Sequence, residues 1–116
     1  MTSLVACLGK EQGTIAHVAE VVKKEEWDKV YIITEEKPVN FPKEKVEFIM
    51  INEKEMLPIL AIKIQDSLKS KINDMEVALN LVSGSGKLHT ATLSALLKVG
   101  LAIRLVVLTP QGVKEI

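Results

Sequence analysis

The sequence holds one cysteine, one arginine, four aromatic residues and no net charge, and each shortage removes a class of function. The lone Cys7 excludes an internal disulfide and fits a reducing compartment. With Arg104 as the single arginine, bidentate guanidinium forks cannot be a major device here. Trp27, Tyr31, Phe41 and Phe48 are too few for a base-stacking platform. Fifteen basic residues offset fifteen acidic ones, so bulk phosphate attraction does not hold this chain on nucleic acid. No direct DNA binding by this domain is therefore expected. No apolar run approaches the roughly 18 residues of a membrane helix. The N-terminus lacks the basic region and long apolar core of a signal peptide. A cytoplasmic location is the expectation. Lys and Glu dominate the charged set, which leans toward a heat-adapted source.

What remains is an ordered globular composition, 47% hydrophobic over 116 residues. A chain of this length makes one domain, residues 1–116, burying roughly two-thirds of its unfolded surface.

The stretch that organises it is Asn80-Leu81-Val82-Ser83-Gly84-Ser85-Gly86-Lys87-Leu88-His89. An apolar run from Val77 to Val82 ends there in small, polar and glycine residues, and a helical pattern runs from Lys87 to Val99. A strand that turns through glycines into a helix leaves several backbone N–H groups unpaired. With the positive end of the helix dipole, those groups suit an anion. Lys87 adds a mobile positive charge. The spacing matches no standard phosphate loop. A Walker A loop needs Gly where Leu81 stands and Ser or Thr where Leu88 stands; a dinucleotide fingerprint needs Gly where His89 stands. On spacing alone, an anion loop and a tight packing turn both remain open.

A second stretch repeats the pattern. Ser3–Leu8 reads as a buried strand with Cys7 as a small core residue. It ends in Gly9-Lys10-Glu11-Gln12-Gly13-Thr14, with Thr14 the expected N-cap of a helix whose stripe is Ile15, Val18, Ala19 and Val22. Lys29–Thr34 and Val46–Ile51 read as strands joined by an extended connection, residues 35–45, that carries Pro38 and Pro42. Asn52-Glu53-Lys54-Glu55 has the form of a capping box, with Pro58 near the helix start. Leu57, Leu60, Ala61, Ile64, Leu68 and Ile72 give that helix its stripe. Met75–Val82 and Leu101–Leu108 are further strands, Gly100 is a C-cap, and Val113–Ile116 starts a returning strand after a turn at Thr109–Gly112.

Alternating strands and helices with continuous Val/Ile/Leu runs predict an α/β fold, a Rossmann-like three-layer α/β/α with a mainly parallel sheet of five to six strands. Ligands of such sheets sit beyond the carboxyl ends of the strands, where both glycine loops lie. If their strands are neighbours, Lys10 and Lys87 share one pocket. Leu88, Ala91, Ala95 and Val99 form one stripe of the last helix, while Leu93, Leu96 and Leu97 lie on other sides. Such a helix calls for cover on more than one side, which predicts a two-fold dimer near the central loop.

Asn80, Ser83, Gly84, Ser85 and Lys87 at the end of the fourth strand resemble the second signature of CARF domains, the CRISPR-associated Rossmann-fold sensors. The first loop, with Gly9, Lys10, Gln12, Gly13 and Thr14, is similar to that family's other ligand loop. Two features depart from the family: Gly86 stands where Lys or Pro is common, and the connection between the second and third strands is short and helix-free. The resemblance implies a homodimer that binds one cyclic oligoadenylate, usually the tetramer, across its two-fold axis in type III CRISPR antiviral defence. It implies ligand contacts from Gly9, Lys10, Gln12, Gly13, Thr14, Asn80, Val82, Ser83, Gly84, Ser85, Gly86, Lys87 and His89. CARF domains usually carry an effector, so a sensor domain excised from a longer effector or regulator is the expectation.

Some CARF domains also cut their ligand, by metal-free attack of a ribose 2′-OH on the adjacent phosphorus to leave a 2′,3′-cyclic phosphate. Lys10 and Lys87 are candidates for charge stabilisation, Thr14 or Ser83 for positioning the 2′-OH, and His89 for proton transfer, ahead of His17. No cofactor and no metal are expected, because Cys7, His17 and His89 lack zinc spacing. Glu25–Glu26 and Glu35–Glu36 read as solvated loop charges. The favoured reading is a sensor without catalysis. A ring nuclease is the runner-up, and an unrelated Rossmann-like nucleotide- or anion-binding module is a separate alternative.

Overall fold

Strands with no polar interruption are stable only where both faces are covered. In the computed structural model, which describes residues 2–116, three such strands form the middle of the sheet: β1 (Leu4–Cys7), β2 (Val30–Thr34) and β4 (Glu76–Asn80). Around them lie β3 (Val46–Met50), β5 (Ala102–Thr109) and β6 (Gly112–Glu115). The three helices are α1 (Gln12–Lys24), α2 (Leu57–Leu68) and α3 (Gly86–Val99). The sheet order is β3-β2-β1-β4-β5-β6, parallel throughout except for the final β5–β6 hairpin. This α/β architecture, one six-stranded and mostly parallel sheet with three helices, is compatible with a Rossmann-like fold.

Alternation along β1 divides the core. Leu4 and Ala6 pack with Val18, Val21 and Val22 of α1, whereas Val5 and Cys7 pack with Leu60 and Ile64 of α2 and Leu88, Ala91, Ala95 and Leu96 of α3. Each fully buried valine, leucine or isoleucine among them contributes roughly 1.5–3 kcal/mol. β5 is half-exposed, and its Arg104 reaches Glu115 of β6 at 2.9 Å and Glu76 of β4 at 3.7 Å. Among the described residues, no buried side-chain nitrogen or oxygen lacks a partner, and no helix is long and apolar enough to cross a membrane.

Several local expectations are corrected. Thr14 is not the N-cap of α1; Glu11 holds that position without a side-chain cap, and the helix begins two residues ahead of Thr14. The hydroxyl of Thr14 is instead drawn to the neighbouring loop. Asn52–Glu55 is not a capping box, because α2 starts at Leu57 behind Met56 with Pro58 in its first turn. Asn52 closes a separate turn, accepting the N–H of Lys54 on Oδ1 at 3.0 Å. Leu96 faces the core beside Thr92, so only Leu93 and Leu97 leave the inner side of α3. Ile72 lies beyond the end of α2 but is buried all the same. Gly100 does cap α3, at φ 90°, with its N–H shared between the carbonyls of Leu96 and Leu97.

Candidate functional site

After β1 the chain moves outward to β2 and β3, then returns to place β4 on the opposite side of β1. The β1–β4 boundary is thus the switch point of the sheet, where the loops leaving the two strands diverge and open a crevice. Those loops are the two glycine loops of the sequence.

They are pressed together. A Cβ on Gly9 would lie 3.0 Å from both Cα and N of Gly84, so glycine at position 9 is what lets the backbones touch. Gly84 itself adopts φ +103°, a conformation that L side chains rarely reach. Ser83, fully buried, fastens the contact: its Oγ accepts the N–H of Gly9 at 2.9 Å and lies 2.9 Å from Oγ1 of Thr14. Thr14 can donate to the carbonyl of Glu11 at 3.1 Å. His89 holds the other side of the turn, donating from Nε2 to the carbonyl of Ser83 at 2.7 Å.

Above this seam lies a cleft of about 470 Å³ lined by Gly9, Lys10, Glu11, Thr14, Glu35, Glu53, Val82, Gly84 and Ser85. The N–H groups of Gln12, Gly13 and Thr14 at the start of α1 have no acceptor among the described residues. Nor do those of Gly84, Ser85, Gly86 and Lys87 at the start of α3. Ser85 is the N-cap of α3, its Oγ accepting the N–H of Leu88 at 3.1 Å. The charged lining is one lysine and three glutamates, so the cleft offers directional backbone donors rather than a positive field.

The expected ligand residues divide into groups. Gly9, Lys10, Thr14, Val82, Gly84 and Ser85 line the cleft. Gln12 lines an adjoining hollow shared with Gly9 and Lys10 and bounded by Lys37, Pro38, Val39 and Asn40. Gly13 and Gly86 are exposed in the first turns of their helices. Asn80 and Ser83 are sealed inside. Asn80 donates from Nδ2 to the carbonyl of Val106 at 2.8 Å and accepts the N–H of Val82 on Oδ1 at 3.3 Å, tying β4 to β5.

The catalytic candidates do not converge. Lys10 projects at the cleft without a partner among the described residues. Lys87 lies outside the lining and donates to the carbonyl of Glu53 at 2.5 Å. His89 commits Nε2 to the turn. His17 sits under the sheet edge, with Nε2 3.2 Å from Nδ2 of Asn80 and 3.4 Å from the N–H of Leu108; both are donors, which places its proton on Nδ1. Burial lowers its pKa from the ordinary histidine value. Cys7 is fully buried beside Oγ1 of Thr92 at 3.3 Å, and burial pushes its thiol up to about 12, which removes it as a nucleophile. Among the described residues no group of histidine, cysteine and carboxylate side chains is placed to hold a metal.

Glu35 and Glu53 were not legible as cleft residues. Each is brought in by the parallel crossover that aligns the ends of β2 and β3 with those of β1 and β4. Glu35 follows β2 directly, and acidic residues there commonly face the switch-point crevice, which was the available signal. Compared with protein-family models and with curated proteins, the chain matches none of them.

Proposed function

We propose that the chain is a ligand-sensing domain of Rossmann-like three-layer form whose β1–β4 crevice binds a nucleotide phosphodiester. Cyclic tetra-adenylate bound by a homodimer is the specific reading. The observation that carries it is the seam of Gly9 against Gly84, which gathers two sets of unpaired helix-start N–H groups around one cleft at the switch point. The rim adds apolar surface, since Val82 and Val39 are exposed beside these donors, matching a ligand with an anionic link and a flat apolar body.

The dimer draws support from the outer face of α2 and of α3, the helix that starts at the cleft. Ile59 and Ile62 of α2 are 45% and 54% exposed, and Leu97 of α3 is 62% exposed. Between the helices lies an apolar groove floored by Ala61, Ala91 and Ser94, small residues that allow close approach. A second copy covering this face would bury the apolar surface that a monomer leaves in water. The name of the ligand and its place in antiviral defence rest on the likeness of Asn80–Lys87 to CARF signatures.

A sensor without catalysis fits the side chains better than a ring nuclease, because Lys87 and His89 are both engaged in holding loops. Calorimetric titration with cyclic tetra-adenylate, followed by chromatography of the recovered ligand after warm incubation, tests these readings. One intact ligand per two chains is the expected result. Linear products would make the protein a ring nuclease. Absence of heat with both the tetramer and the hexamer would overturn the cyclic oligoadenylate reading, leaving a nucleotide- or anion-binding module.

A further inference from the structure

At the α3 end of the cleft the backbone N–H groups are free among the described residues, but the two side-chain donors, the Ser85 hydroxyl and the Lys87 ammonium, are already taken by a residue of the same chain. Residues 52–55, between β3 and α2, form a tight turn closed by Asn52, whose carbonyl accepts the N–H of Glu55 at 3.1 Å. Glu53 at its tip reaches over the cleft. Its carboxylate accepts the hydroxyl of Ser85, the residue that caps α3, and its carbonyl accepts the ammonium of Lys87 at 2.5 Å. Its N–H donates to the carboxylate of Glu35 at 2.7 Å. One residue therefore ties the end of β2 to the start of α3, using its main chain and its side chain together.

We propose that the Glu53 turn is a displaceable plug, an autoinhibitory contact in which the Glu53 carboxylate occupies the place of a ligand's anionic group. This rests on the reading of the cleft as an anion site. An anion arriving at Ser85 meets a negative charge already bonded to the same hydroxyl proton, and that proton serves only one acceptor at a time. The turn is fastened by hydrogen bonds and by the Lys63–Glu55 ion pair at 2.6 Å, with no fully buried side chain of its own. Asn52 and Lys54 are exposed, Glu53 is half-buried, and the core holds the segment through the partly buried Ile51 and Leu57 on either side. Movement between those two anchors would release the Ser85 hydroxyl and the Lys87 ammonium in one step. Ligand binding and opening are then coupled, and the apparent affinity is lowered by the fraction of molecules that are closed.

The plug is tested without assuming the natural ligand. Inorganic pyrophosphate is titrated into the wild type, Glu53→Gln and Glu36→Gln while the amide resonances of residues 84–87 are followed. Glu36 lies next to Glu35 on the rim, and its side chain has no partner among the described residues, so its variant removes one charge nearby without touching the turn. Glu53→Gln is expected to bind pyrophosphate roughly tenfold more tightly than the wild type, the value of one charge-assisted hydrogen bond no longer in competition. Glu36→Gln is expected to change affinity by less than about twofold. Glu35→Gln, which loosens the Glu53 N–H, should shift affinity the same way as Glu53→Gln and covers the case in which that variant misfolds. Equal gains in Glu53→Gln and Glu36→Gln would reduce the effect to bulk charge and overturn the plug. Unchanged or weakened binding in both Glu53→Gln and Glu35→Gln would overturn it as well. If cyclic tetra-adenylate binds none of these proteins while the pyrophosphate gain persists, the ligand assignment falls and the plug stands.

Discussion

The Gly9–Gly13 loop and the Ser83–Gly86 loop each follow a buried parallel strand, carry glycines beside a lysine and open a helix, yet their polar groups end in different states. Lys10 is exposed and without a partner among the described residues, whereas Lys87 is half-buried and bonded to Glu53. The first helix starts with no side-chain cap, whereas Ser85 caps the third. The difference comes from outside both loops. The turn after β3 bonds to the second loop through Glu53, whereas among the described residues the segment 36–40 that flanks the first loop makes no bond to Lys10. One local pattern thus yields a free lysine in one loop and an engaged one in the other, and the neighbouring crossover decides which is which.

Breaking the seam between the loops should have the largest effect. Gly9→Val forces side-chain atoms into the backbone of Gly84 and is expected to destabilise the fold by about 3 kcal/mol, read as a lowered urea midpoint. A midpoint within error of wild type would mean that the two loops separate freely. Ser83→Ala comes next. It strands the N–H of Gly9 and removes the Thr14 partner, at a cost of roughly 1–3 kcal/mol in the same assay. Gly86→Ala sharpens the contrast from the other side, since nothing lies within 4 Å of its added Cβ and its backbone is helical. It should be neutral or stabilise by up to about 1 kcal/mol. Loss of stability there would indicate that position 86 also needs glycine for close packing.

Smallest is the pH effect of His17. Its folded pKa is depressed below 6.5, so the unfolded chain takes up the proton first and binds more protons in that window. Its contribution to stability is complete above pH 6.5 and declines as pH falls through that value toward the folded pKa. Melting temperatures of the wild type should drop between pH 7 and pH 5.5 more than those of His17→Gln. Parallel curves for the two proteins would remove His17 as the source.

Much of this was written in local sequence. Val and Ile runs set the strands, glycine at 100 ended α3, and the repeated strand–glycine–helix order put both loops at one edge of the sheet. Side-chain roles were less legible. Asn80 and Ser83 have the composition of ligand contacts, but the sheet closes over them and turns their polar atoms to Val106, Gly9 and Thr14. Leu96 was misplaced because one register step around a short helix moves a leucine from the margin to the core.

Periodicity and turn chemistry act between residues a few positions apart, so sequence alone determined the element order, the parallel α/β class and the two glycine turns. The meeting of Gly9 with Gly84 and the reach of Glu53 to Ser85 join residues separated by 75 and 32 positions. Such contacts depend on which strands become neighbours and on what the crossovers carry above them, and only the tertiary structure decided that.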